Sequence, residues 1–428
     1  MADEGVGLVR RGRAGTGGTG VGESNGSGQG GVDAVATEGG GSGPPEPHST
    51  TETTVKYSPF RMERWQSTYE HRVEINLSES GVHPLTVGEL AELSGRDVGV
   101  DDTLLGYGQS NGSDELRALI ADQYEGASDA SILVTIGGAE ANFVSFWHLF
   151  EGGATAAIVL PTYGQVPGLL ESFGSRLLPV HLNEDEGWQP DLDALEDALK
   201  AGASFVLVTN PNNPTGASLT RESMDAIADL TERYGAWILA DEVYAGAESH
   251  GERTPSFWGV HERVIVTNSL SKAYGLPGLR LGWVVGPESL VPELWGRTDY
   301  TTIAPASVSD LLARVALEPS TREKIGERTR GIVRKNLGVL EEWMAAQEGR
   351  FSYRPPDAGA ICYTRYDAPV NSSDFAEKLR VEKSVLVVPG DHFGMDHHLR
   401  LGFGNPEDEL LEGLDRVRAA FDEVSARV

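Results

Sequence analysis

Five apolar, β-branched runs recur along the middle of this chain, and each gives way abruptly to a turn or a polar residue. They read SILVT before IGG, AAIVL before PTYG, SFVLVT before NPNNPTG, AWILA before DEVY, and VIVTN before SLSK. Buried strands that alternate with helical segments at this spacing indicate an α/β fold with a mostly parallel sheet. In such a sheet, ligands gather beyond the C-terminal ends of the strands. The residues that follow the runs are therefore where chemistry is expected: Gly137 and Gly138, Tyr163, Asn213, Asp241 and Lys272.

Lys272 carries the most information. It follows the run Val264, Ile265, Val266, with Ser269, Ser271 and Arg280 close by in sequence. A lysine amine forms a Schiff base with a carbonyl cofactor only when partly neutral, which calls for an apolar or cation-rich setting that lowers its pKa. Two hydroxyls and a permanent cation are the set expected around a phosphate monoester. Gly137 and Gly138, between a strand and a helix start, would aim free N–H groups and the positive helix end at one point, which is a second phosphate-binding signal. Asp241 ends an apolar strand, where an unpaired carboxylate is costly, so it needs a cationic or hydrogen-bonded partner.

Taken together, SLSKAYGLPGLRLGW, NPNNPTG and ADEVY resemble the signatures of class I/II aminotransferases, the fold-type-I enzymes that use pyridoxal 5'-phosphate. The resemblance covers the chain from about Tyr57 onward. It implies a three-layer α/β/α large domain with a mostly parallel sheet and a smaller α+β domain. It implies that Lys272 bears the Schiff base, that Ser269 and Arg280 bind the phosphate, and that Gly138, Ala139 and Glu140 do so through backbone amides. Tyr163 would stack on the pyridine ring, Asp241 would keep its nitrogen protonated, and Asn213 and Tyr244 would contact its phenolic oxygen. Arg400, in the alternating stretch HHLRLGFG, would grip the substrate α-carboxylate, with Asn213 and the backbone at Gly81 beside it. Tyr107 would reach the phosphate of a neighbouring subunit, which makes the expected assembly a homodimer with shared active sites.

The substrate implied is a small molecule, an α-amino acid. Transamination comes first, because most members with this residue set perform it. The segment ESGVHP and the loop GGAEAN also resemble a branch near capreomycidine synthase and the aminocyclopropane-carboxylate synthases, which leaves elimination, replacement or cyclisation open. There Glu79 and His83 would read the substrate side chain, and a cationic tail would suit Glu79. For each of these residues singly, a polar turn before a helix is an equal reading.

Composition bounds the rest. The 428 residues suffice for two sizeable cores, and a formal net charge of −29 argues against nucleic-acid or anionic-membrane partners. Cys362 is the single cysteine, which fits a reducing compartment, and no run approaches membrane-spanning length, so a cytoplasmic protein is expected. His392, His397 and His398 match no common metal spacing. Residues 1–54 are Gly- and Ser-rich with few large apolar side chains and are expected to be disordered. An N-terminal segment over 55–95, a cofactor domain over 96–304, and bridging helices with a small domain over 305–428 complete the expected organisation.

Overall fold

Alternation along the central strands decides the architecture. Val206 and Val208 lie in one apolar core while Phe205 and Leu207 lie in another, and Ile238 with Ala240 is likewise opposed by Leu239. Successive side chains in a strand point to opposite faces, so a run that is apolar throughout must be covered on both sides. The result is the expected α/β/α sandwich. The computed structural model describes residues 56–426, Gly152 apart; the Gly- and Ser-rich stretch 1–54 lies outside the described residues.

Eight strands form the main sheet, in the spatial order Ile132–Thr135, Gly282–Val285, Val264–Ser269, Trp237–Asp241, Phe205–Thr209, Thr155–Leu160, Arg176–Asn183, Gln189–Pro190. The pairs from Val264–Ser269 through to Arg176–Asn183 are all parallel. Only Gly282–Val285 and the short Gln189–Pro190 run against them. The C-terminal ends of the parallel strands therefore open on one edge.

Helix ends follow local chemistry. Ser113 caps Asp114–Ala121 by accepting from the Leu116 N–H at 3.3 Å, with Asp114 and Glu115 in the first turn, as the sequence predicts. Pro319 separates two helices: Ser307–Leu317 ends, and Pro319–Ala345 begins with proline where the missing N–H costs nothing.

A second, antiparallel sheet has the order Phe351–Tyr353, Ile361–Tyr366, His398–Gly402, Val388–Pro389. Its core takes Val333, Leu337, Leu340 and Met344 from the long helix and Leu410, Leu414, Val417 and Phe421 from Glu407–Ser425, the two faces legible by helical spacing. Ile75 and Leu77 from the N-terminal segment pack into this core. Each such side chain contributes about 1.5–3 kcal/mol on burial.

Candidate active site

The strand ends and the second sheet enclose a cavity of about 380 Å³. At one end is a cradle for an anion. Helix Gly137–Phe150 starts without a side-chain cap, so its first N–H groups are free to face a ligand. Gly138, Ala139, Ser269, Ser271 and Arg280 line this end. Gly137 has φ +77°, and a Cβ there would lie 2.6 Å from Arg280 Nη2, so only glycine lets the guanidinium lie against the helix start. Gly282 serves the same packing, since a Cβ on it would lie 2.5 Å from the Gly137 carbonyl carbon.

Deeper in, Asp241 is buried at the end of its strand. Its Oδ2 accepts from Asn142 Nδ2 at 2.9 Å and its Oδ1 from the Val243 N–H at 3.3 Å, while Thr267 Oγ1 donates to Asn142 Oδ1 at 2.7 Å and so orients the amide. No arginine, lysine or histidine pairs with it among the described residues. Burial pushes its pKa up, partly offset by the Asn142 and Val243 hydrogen bonds. Such a carboxylate facing a cavity calls for a cationic partner delivered by a ligand. Across the cavity, the Tyr244 hydroxyl donates to Ser80 Oγ at 2.8 Å, and Tyr163 is held edge-on to Phe60 with ring centroids 4.9 Å apart.

Lys272 Nζ lies 3.6 Å from Glu79 Oε2. Burial, the largest influence, pulls the ammonium pKa down, but Glu79, Tyr244 and Glu63 together outweigh it and the net shift is upward. This corrects the expectation of a setting that lowers the pKa: the neighbours are acidic rather than apolar. Glu79 in turn is held below the usual carboxylate range, chiefly by Lys272.

Arg400 is 1% exposed. Its Nη1 donates to Asn213 Oδ1 at 2.8 Å and its Nη2 to the Ser78 carbonyl at 2.5 Å, yet among the described residues its buried Nε has no partner and no carboxylate pairs with it. A buried guanidinium with a spare donor facing a cavity suits a ligand carboxylate. Three glutamates stand round the same space: Glu79, and Glu63 and Glu70, the latter two on and just after helix Arg61–Tyr69. Burial and the negative charge of Glu79 raise the Glu70 pKa.

Most of the residues read from sequence thus meet in one cavity. Gly81 stands against it, with a Cβ there 3.6 Å from Lys272 Cα and Cδ. The Glu140 side chain turns away, as expected, accepting from the Ile136 N–H at 2.6 Å and from Thr302 Oγ1 at 2.6 Å. His83 does not line the cavity; its Nδ1 lies 3.0 Å from the Gly404 carbonyl, because the chain turns outward after Gly81. Tyr107 is also outside it and 92% exposed in its own chain. Sequence reasoning missed Glu63, Glu70 and Asn142. Asn142 had a signal, as it lies one helical turn past Gly138; the two glutamates had none, since nothing in the sequence brings residue 63 to residue 272.

A glycine-lined anion cradle, a buried carboxylate awaiting a cation and a lysine between them fit the phosphate, the ring nitrogen and the aldehyde of pyridoxal 5'-phosphate, so fold and site define a pyridoxal-phosphate-dependent enzyme of fold type I. Residues 75–417 match the family described as "Aminotransferase class I and II", and the chain belongs to it. It is 32% identical to capreomycidine synthase from Streptomyces vinaceus over 83% of this chain and 92% of that protein. A PLP-dependent aminotransferase from Streptococcus suis superposes with TM-score 0.81 at 31% identity, covering 86% of this chain and 99% of that one. The PLP-dependent cyclase OrfR superposes with TM-score 0.78 at 28% identity, covering 86% and 97%. The protein is an enzyme that acts on amino acids with pyridoxal phosphate.

Proposed function

We propose that the substrate is an α-amino acid with a cationic side chain of the arginine type, and that the reaction expels a substituent from its side chain and closes a ring. The observation that carries this reading is the placing of Glu63, Glu70 and Glu79 round the same cavity as Arg400. Arg400 holds the α-carboxylate with a two-pronged hydrogen bond, and the three glutamates accept the guanidinium at the far end. The cofactor supplies an electron sink for charge developing at Cα. Lys272 would take the Cα proton, Asp241 would hold a proton at the ring nitrogen, and Tyr244 and Asn213 would meet the phenolic oxygen. Ser269, Arg280 and the amides of Gly138, Ala139 and Glu140 would hold the phosphate, and Tyr163 would cover the ring. Likeness to capreomycidine synthase and to OrfR favours ring closure. A second reading, transamination of the same class of donor, is favoured by the family and by the Streptococcus suis relative.

The reading includes a cytoplasmic homodimer divided at about residues 96 and 304, in which Tyr107 reaches the partner's phosphate cradle. Its support is a group of outward apolar side chains, Leu104, Leu105, Tyr107, Tyr300 and Ile303, joined across the chain by Trp295 Nε1 donating to Ser110 Oγ at 3.0 Å. No helix among the described residues is long and apolar enough to cross a membrane.

Single-turnover reaction of the cofactor-loaded enzyme with arginine, hydroxyarginine, aspartate, aromatic amino acids and S-adenosylmethionine, with mass analysis, is the test. Ring closure predicts a dehydrated product from hydroxyarginine and recovery of the original spectrum. A keto acid with a spectrum shifted to the aminated cofactor selects transamination. Aspartate or an aromatic donor outpacing the basic ones, with E63Q and E70Q without effect on KM, overturns the cationic substrate. Lys272→Ala abolishes turnover in either case.

A further inference from the structure

Behind the active site is a second cavity, of about 310 Å³, with a composition unlike the rest of this acidic chain. Its walls are Ala245 and Gly246, just after Tyr244; Ala273 and Tyr274, just after Lys272; Arg253; and the first turns of helix Pro319–Ala345. Arg322, Gly326 and Arg330 recur at four-residue spacing and so share the helix face that meets the 245–253 loop. Glycine at 326 makes the hollow, because a Cβ there would lie 2.8 Å from Arg330 Nη1.

The three arginines are poorly matched by the protein. Arg330 makes one long contact, Nη1 to the Gly246 carbonyl at 3.4 Å. Arg322 reaches Asp122 at 3.2 Å through Nη2, but its buried Nη1 has no partner among the described residues. Arg253, exposed at the mouth of the cavity, has no hydrogen bond or ion pair among the described residues. The carboxylates whose charge it feels, Glu248 and Glu242, are engaged elsewhere: Glu248 Oε1 accepts from the Gly246 and Thr254 N–H groups at 2.9 Å, and Glu242 Oε1 from Phe257 N–H at 2.8 Å and Ser256 Oγ at 3.0 Å. Glu323, exposed on the rim, is the single lining carboxylate. In a chain of 64 acidic and 35 basic residues, three guanidiniums line one hollow and keep donors that no protein group among the described residues takes. Guanidinium forks match the oxygens of a multivalent oxyanion.

We propose that this cavity is a binding site for a small phosphate-type oxyanion, held by Arg253, Arg322 and Arg330 against the back of the turn that carries Lys272. The occupant would tie the start of the long helix to the Tyr244 and Lys272 turns, without entering the active site.

The test is calorimetric titration of the holoenzyme, its own phosphate cradle filled by cofactor, with inorganic pyrophosphate at constant ionic strength. One saturable site per chain is expected, weakened about tenfold or more in R253Q and in R330Q separately, while R350Q, on a surface arginine paired with Asp422, leaves it unchanged. Retained cofactor absorbance shows that each variant is folded. The proposal fails if the unmodified holoenzyme shows no saturable site at millimolar pyrophosphate, or if binding survives the R253Q/R330Q double substitution.

Discussion

Asp241 and its neighbour Glu242 show how one strand end serves two purposes. Asp241 faces the cavity; Glu242 points the other way, into the core, and accepts from Phe257 N–H and Ser256 Oγ. Burial pushes the Glu242 pKa from 4.5 up to about 7. Across that range the folded state favours a protonated Glu242, so this group's contribution to stability falls as pH rises from about 4.5 to about 7 and is flat above. Urea titrations across that window should show the slope, and Glu242→Gln, which keeps an oxygen acceptor, should reduce it; an unchanged slope would mean that Glu242 is ionised in the folded state. Lys272, Asp241, Asn213 and Arg280 were legible as residues because each stands in a short, specific motif after an apolar run. The sign of the Lys272 shift was not. It depends on Glu79, Glu63 and Tyr244, which come from distant parts of the chain.

Elements carry the next level of argument. The strand-turn-helix units set the cradle, and their boundaries follow from caps that sequence makes visible. Ser113 does double duty: besides capping its helix, its N–H and hydroxyl donate to Asp310 at 3.0 and 2.8 Å, fastening Asp114–Ala121 to Ser307–Leu317. Ser113→Ala should cost about 1–2 kcal/mol. It should lower the urea midpoint without changing the slope of the transition, and a loss, taken as slope times midpoint shift, below a tenth of that energy would show the cap to be dispensable. The cap itself could be read from NGSDEL, but its partner could not, since Asp310 lies almost two hundred positions later. Helix Arg61–Tyr69 is the converse case. Its contribution of Glu63, Gln66 and Met62 to the cavity depends on how it docks, which no local pattern sets.

At the scale of the molecule, the proposed assembly makes its own prediction. Tyr107 is 92% exposed and does not line the active-site cavity of its own chain, so Tyr107→Phe should leave the monomer's stability unchanged and yet weaken cofactor binding about tenfold, by the loss of one hydroxyl contact to a charged phosphate. Equilibrium dialysis measures the affinity and light scattering the mass, for which a dimer is expected at twice 45.8 kDa. An unchanged affinity would remove Tyr107 from the partner's site. By itself the sequence determined the parallel sheet, the apolar helix faces, the cofactor and most of the residues that meet in the cavity, because β-branched runs, turn motifs and helical periodicity are local and each has one physical solution. Only the tertiary structure decided what surrounds those contacts: the acidic wall of Glu63, Glu70 and Glu79 facing Arg400, the turning away of His83, and the arginine hollow behind Lys272. These arise where segments far apart in sequence converge, and charge set by convergence leaves no periodic trace in any one of them.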